Sequence, residues 1–227
     1  MTGIYLLIVL TIVFAAACVL LRRKNKSFEG MICKFMASFG FTSIAVLGNY
    51  IDPNNTRYFS LVCIALMFGF CGDVFLGIKE IAPTFKKKLI PIGTGYFFAG
   101  HIFQIIAFIY LYGFEWRTLF FLLFGIAAAF AIIKLLKMQV QPAFAAVLCA
   151  YYGMLIWKVA YAVFLVMNEA ISANIMALVS AVLFLTSDTC LGILYFTPVK
   201  RKNIFVTAEL STYYPAQILM AMSVAFR

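Results

Sequence analysis

The sequence predicts an all-α integral membrane protein, with eight transmembrane helices gathered in one bundle. Three observations carry that prediction. The 227 residues are 65% hydrophobic and only 11% charged, whereas a soluble domain carries about a quarter charged residues to keep its surface wet. Mean hydropathy is +1.03. Apolar stretches near the ~20 residues that cross a bilayer recur along the whole chain.

Spans are expected at 3–21, 30–48, 58–78, 92–112, 118–136, 143–166, 173–194 and 204–226. The first apolar stretch is long enough to span and lacks the basic n-region of a cleaved signal. Polar or Pro/Gly-bearing connectors separate the spans: RRKNKSFE, NYIDPNNTR, KEIAPTFKKKLIP, GFEWR, KMQVQP, NEAIS and FTPVKRKN. None can hold a soluble domain, so residues 1–227 read as a single polytopic domain. The fifth span is the least sharply bounded, because Lys134 and Lys137 blur its end. The six cysteines lie in apolar segments at unrelated spacings, which suits small interior residues and not a disulfide framework.

The net charge of +10 is placed as membrane orientation requires, not as a nucleic-acid surface. One side holds Arg22, Arg23, Lys24, Lys26, Lys79, Lys86, Lys87, Lys88, Lys134, Lys137, Lys200, Arg201 and Lys202; the other holds Arg57, Arg117 and Arg227. The thirteen-residue side is expected to be cytoplasmic, with both termini on the non-cytoplasmic side. Asp73 and Asp188 share the string Asp-x-x-Leu-Gly-Ile at an offset of 115 residues. That offset maps spans 1–4 onto spans 5–8, a candidate 4+4 parallel repeat of the kind that places sites at its interface.

Those two acids are the candidate catalytic residues. An ionisable group deep in a span is costly, so it works or is paired. Each lies about four helical turns past the start of its expected span, and both spans run the same way, so the acids share a level in the cytoplasmic half. Other polar residues reach that level: Lys34, His101 with Gln104, Tyr151 and Tyr152, and Glu209, Tyr213 and Gln217, the last three on one helix face. Lys34 and Lys158 also lie where a snorkelling ammonium reaches the interface, and Glu209 is a turn from it. Gly69, Gly72, Gly77, Gly93, Gly95 and Gly100 are expected to let helices approach closely beside the acids. No Gly-x-Ser-x-Gly, Walker, dinucleotide or His-Glu-x-x-His motif is present. Two carboxylates at one depth can divide into a proton donor and a base, which suits acid-catalysed hydrolysis of a lipid bond without a cofactor. A metal held by Asp73, Asp188 and His101 would have three ligands at most, and no metal is assigned.

Further residues carry a resemblance. Lys34 opens the second span; Gly72-Asp73-x-x-Leu76 lies in the third; Gly100-His101 follows Tyr96, Phe97 and Phe98 in the fourth. Phe184-x-x-Ser187-Asp188-x-x-Leu191 lies in the seventh span and Tyr213-Tyr214-x-Ala216-Gln217 in the eighth. Together they resemble the YhhN-type membrane family, whose characterised members include the lysoplasmalogenases. Phe35 stands where the family often has proline, and Gln104 where many members have tyrosine. The resemblance implies hydrolysis of the vinyl-ether bond of a lysoplasmalogen, releasing a fatty aldehyde and a glycerophospho-ethanolamine or -choline. That reaction suits the polar layer: one of Asp73 and Asp188 is expected to be the acid and the other the base, with Lys34, His101, Gln104, Tyr152, Glu209, Tyr213 and Gln217 around the substrate, Lys34 and His101 toward the phosphate.

Two rival readings remain. The same acids could serve a proton- or cation-coupled transporter with Pro215 as a gating kink, or could lock a non-catalytic lipid-binding bundle. The expected partners are a lysophospholipid and the bilayer, with no nucleic acid. The expected location is a multi-pass position in a bacterial inner (cell) membrane, or the endoplasmic reticulum in a eukaryote.

Overall fold

The structure, a computed structural model, describes residues 2–51 and 53–227. Eight α-helices follow one another: α1 (Thr2–Arg23), α2 (Ser27–Ile51), α3 (Thr56–Ile81), α4 (Lys86–Tyr112), α5 (Leu119–Leu135), α6 (Pro142–Asn168), α7 (Ser172–Phe196) and α8 (Lys202–Met222). No strand occurs among the described residues. Most helices outrun the expected spans; α4 begins at Lys86, well before its apolar run. Hydropathy marks where the hydrocarbon begins, whereas the backbone stays helical through the interface, where lysines keep their ammonium groups in water. α5 ends at Leu135, and Lys137 just beyond it takes the left-handed conformation, φ 50°.

Seven helical segments are long and apolar enough to cross a membrane, which makes this a multi-pass membrane protein. α8 is the exception. Its 21 residues reach about 32 Å at about 1.5 Å per residue, but Glu209, Thr212, Tyr213 and Gln217 lower its hydropathy. Those side chains are tolerable because they turn inward: Glu209, Tyr213 and Gln217 are each no more than 3% exposed.

Helices adjacent in sequence pack as antiparallel pairs, α4 and α5 excepted, and α8 lies against α7, α1, α2 and α3. α4 packs on α6, passing over α5, and among the helices α5 touches α6 alone. The outer surface is apolar, with Phe39, Phe120, Leu123 and Phe124 exposed. Small residues set the closest crossings. A Cβ on Gly100 would come within 2.9 Å of the Ala65 carbonyl oxygen, and one on Gly125 within 2.9 Å of the Gly153 Cα. Gly72 lies beneath the Phe97 ring. Gly95 departs from the expectation of close approach, since its open side meets nothing within 4 Å.

Ion pairs and hydrogen bonds mark the two ends. Arg22, Glu80 and Glu209 meet at the end that carries the clustered basic residues. At the opposite end Arg227 donates to Asn174, which donates to the Tyr112 hydroxyl, and Tyr58 bonds Ser223. α8 therefore runs the full height of the bundle, unbroken through Pro215.

Candidate functional site

Asp73 and Asp188 each lie about four and a half helical turns beyond the first residues of α3 and α7. At a rise of about 1.5 Å per residue each acid stands about 25 Å along its helix. Their surroundings differ.

Asp73 is fully enclosed, 0% exposed. Its Oδ1 lies 2.9 Å from Lys34 Nζ. Its Oδ2 accepts from Ser38 Oγ at 2.6 Å and from the Tyr213 hydroxyl at 2.6 Å. Lys34 and Ser38 are one turn apart on α2, so a single helix face supplies both donors. Gln217, one turn beyond Tyr213, donates to the Tyr213 oxygen at 3.1 Å. A buried carboxylate is tolerated when it is paired; here the ammonium pairs the charge and Oδ2 takes two hydroxyl donors, while Oδ1 has the ion contact alone and no hydrogen-bond donor among the described residues. The Lys34 ammonium is turned into the bundle, 5% exposed, and does not snorkel.

Asp188 has fewer partners. One carboxylate oxygen accepts from the Tyr151 hydroxyl, and its backbone carbonyl accepts from the Tyr152 hydroxyl at 2.6 Å. Ser187 beside it donates to the Glu209 carbonyl at 3.1 Å, pinning α7 to α8. Between the two acids stand Phe97, Phe184 and Tyr213, whose ring centroids lie 5.5 to 6.0 Å apart with steep interplanar angles.

Asp188 faces a cavity. A pocket spanning about 760 Å³, part of it open to the outside, lies among α4, α5, α6 and α7, walled by Phe97, Ile133, Leu148 and Phe196, with Asp188, Tyr151 and Tyr152 among its polar groups. α4 and α5 both line it without packing on one another. A second pocket of about 470 Å³ lies at the basic end, lined by Arg22, Asn25, Ser27, Lys34 and Glu80. Leu76 and Tyr195 belong to both walls, so an apolar chamber and a polar one adjoin. The polar chamber is braced by ion pairs: Arg22 to Glu80 at 2.9 Å, Arg22 to Glu209 at 3.3 Å, and Lys79 to Glu80 at 2.8 Å. Lys79 also reaches the Tyr195 hydroxyl.

Of the residues expected around a substrate, Lys34 lines the polar chamber and Tyr152 the apolar one. Tyr213 and Gln217 support Asp73 and line neither. Glu209 is not solvated, as its nearness to the interface suggested, but is buried against Arg22. His101 and Gln104 form a separate, deeper tier with Lys158. Lys158 Nζ lies 3.0 Å from His101 Nδ1 and 2.9 Å from Gln104 Oε1. Nδ1 also lies 3.4 Å from Gln104 Oε1, and Nε2 has no hydrogen-bond partner among the described residues. His101 lines neither chamber, so it is not placed beside Lys34 to attract a phosphate.

Lys158 is the largest departure from the sequence reading. Its ammonium does not snorkel: the residue is 1% exposed and sits near the middle of α6. The signal was its spacing of seven from Tyr151, which puts both on one helix face. Ser38, Arg22 and Glu80 also escaped notice. Ser38 sits one turn from Lys34, and the two ion-paired residues lie at helix ends, where charges are ordinarily solvated. Asp73, Asp188 and His101 take three different partner sets, and among the described residues no group of three His, Cys, Asp or Glu side chains is placed to hold a metal.

Comparison with known proteins gives one match: the sequence model described as the YhhN family fits residues 30–224. No curated protein and no solved structure matches the chain.

Proposed function

The chain belongs to the YhhN family, and we propose that it is a lysoplasmalogenase-like hydrolase cleaving the vinyl-ether bond of a single-chain lysophospholipid. The observation that carries the reading is the junction of the two chambers. An amphiphile with one chain matches an apolar chamber beside a polar one, and Asp188 is the carboxyl group that opens on the apolar side near the shared wall. The alkenyl chain lies among Phe97, Ile133 and Leu148. The phosphate lies toward Arg22 and Lys34, and Glu80 offers a carboxylate to the headgroup amine. The chain reaches its chamber from the bilayer through the gap between α4 and α5, which line the cavity without touching.

The chemistry needs one proton donor that becomes a base. Asp188 in its protonated form gives its proton to the chain carbon β to the ether oxygen, leaving an oxocarbenium ion and the Asp188 carboxylate. Water adds to the carbon bearing the ether oxygen while Asp188 takes the water proton, forming a hemiacetal. The carbon–oxygen bond to glycerol then breaks as Asp188 protonates the departing oxygen, and the Asp188 carboxylate takes up the hemiacetal hydroxyl proton as the aldehyde forms. Aldehyde and glycerophospho-headgroup leave with Asp188 restored. Tyr151 orients the Asp188 carboxyl by its hydrogen bond. Asp73, the other member of the pair, acts as a positioning residue: it holds Lys34 for the phosphate and Tyr213 against Phe97 and Phe184. No cofactor enters these steps.

The same reading takes residues 1–227 as a single domain with all eight helices crossing the membrane, both termini on the non-cytoplasmic side, in a bacterial inner membrane. The 4+4 repeat stays within the proposal: α2–α8 and α6–α4 correspond, whereas α1–α8 has no α5–α4 counterpart. That missing packing is the gap through which the chain enters.

The test is aldehyde release from lysoplasmalogen by purified protein in nanodiscs. The wild type is expected to release aldehyde, and Asp188→Asn to lose about 10²–10⁴-fold in kcat, the range for a general acid. An alkyl-ether lysolipid without the double bond is expected to bind both and react with neither. Proton-coupled lipid uptake without product, or an active Asp188→Asn, would sink the proposal.

A further inference from the structure

Three cations inside the bundle have an acid within 3.3 Å: Lys34 with Asp73, Arg22 with Glu80 and Glu209, and Lys79 with Glu80. Lys158 does not. It is more buried than any of them, 1% exposed, and no carboxylate lies within 4.0 Å of its ammonium among the described residues. What faces it is the His101 Nδ1, the Gln104 Oε1 and the ring of Phe184, whose centroid is 4.8 Å away. A cation in mid-membrane with only neutral partners is costly, and neither chamber uses it. Its location supplies the reason. Tyr151 lies two turns along the same face of α6, and the His101 ring bridges the interval, 5.7 Å from the Tyr151 ring and 4.4 Å from that of Phe184. Tyr151 in turn holds the Asp188 carboxyl.

We infer that Lys158 is a positioning residue for the reaction proposed above: its ammonium, fixed by His101 and Gln104, supplies the positive field that stabilises the Asp188 carboxylate formed when the proton leaves. The inference rests on Asp188 being that donor. It gives each acid its own cation, Lys34 in direct contact with Asp73 and Lys158 two turns along α6 from the tyrosine that holds Asp188. The longer interval suits the role. A directly paired Asp188 would be held as a carboxylate, whereas a cation at a longer interval favours the charged form more weakly and lets the acid carry its proton. Because Lys158 lines neither chamber, its removal acts on the chemical step and spares binding.

The experiment uses Lys158→Gln, Lys158→Met and Lys158→Arg in the full-length protein in nanodiscs, with lysoplasmalogen as substrate and thermal unfolding as the fold check. Glutamine keeps a donor toward His101 and an amide toward Gln104 but carries no charge. Lys158→Gln and Lys158→Met are expected to lower kcat by about ten- to thirtyfold, the effect of unit charges about 8–12 Å apart at an effective dielectric of about 20. KM is expected to stay within twofold, and Lys158→Arg to recover most of the loss. Full activity in Lys158→Gln would make the residue a neutral tether and overturn the inference. So would a rise in KM at unchanged kcat, or an unfolded Lys158→Gln, which would make the cation purely structural. Absence of aldehyde from the wild type would instead sink the hydrolase reading, and this inference with it.

Discussion

The ion pair between Lys34 and Asp73 lends itself to a thermodynamic cycle. The two charged atoms are 2.9 Å apart, with side chains only 6% and 1% exposed. At an effective dielectric of about 20 their attraction is about 6 kcal/mol, most of it offset by the desolvation of both groups. Lys34→Met leaves the Asp73 carboxylate with two hydroxyl donors and no counter-charge. Asp73→Asn leaves an ammonium facing an amide. Each single change is expected to cost about 3–5 kcal/mol, the range for stripping one partner from a buried pair. The double variant Lys34→Met/Asp73→Asn leaves no unpaired charge, and the introduced amide can still accept from Ser38 and Tyr213. It is therefore expected to be at least as stable as either single variant, which is a coupling of at least about 3 kcal/mol, at the upper end for neighbouring residues. Reversible unfolding in mixed detergent and SDS micelles, followed by circular dichroism, measures all three. Additive losses, or a cost below about 1 kcal/mol for Lys34→Met, would refute the pairing and return Lys34 to the interface as a snorkelling lysine.

Two further outcomes follow from the packing and the charge distribution. Gly153→Leu is expected to detach α5 from α6, since a Cβ there already meets the Leu122 carbonyl oxygen at 2.9 Å. Faster proteolysis in the 113–118 connector, with the rest of the bundle protected, is the readout, and an unchanged cleavage pattern contradicts it. Lysines 86–88 are expected to react with a membrane-impermeant amine reagent only in inverted vesicles. Labelling in intact cells would reverse the assigned orientation.

Much of this protein was legible before any coordinates, for a physical reason. Backbone polar groups in hydrocarbon must be satisfied within their own segment, so apolar runs of span length become helices whatever their neighbours are. That logic placed eight helices along the chain and put Asp73 and Asp188 at one level from residue counting alone. It also identified the polar side chains on α8. Hydropathy averages over faces, so it does not show that α8 keeps its polar face inside. The same logic treated Lys34, Lys158 and Glu209 by their distance from the interface. A long side chain can turn outward to water or inward to a partner, and depth along one helix does not decide which.

Tertiary packing made that choice, since it alone puts Asp73 on α3 opposite Lys34 and Ser38 on α2, and Arg22 on α1 against Glu209 on α8. It likewise gave two chemically identical acids unequal surroundings: one enclosed by three donors, the other bonded to a tyrosine and open to a cavity. A linear pattern carries the depth and kind of each group. Which groups touch depends on how helices far apart in the chain rotate and cross, and small residues such as Gly72 and Gly100 set that through contacts no local periodicity records.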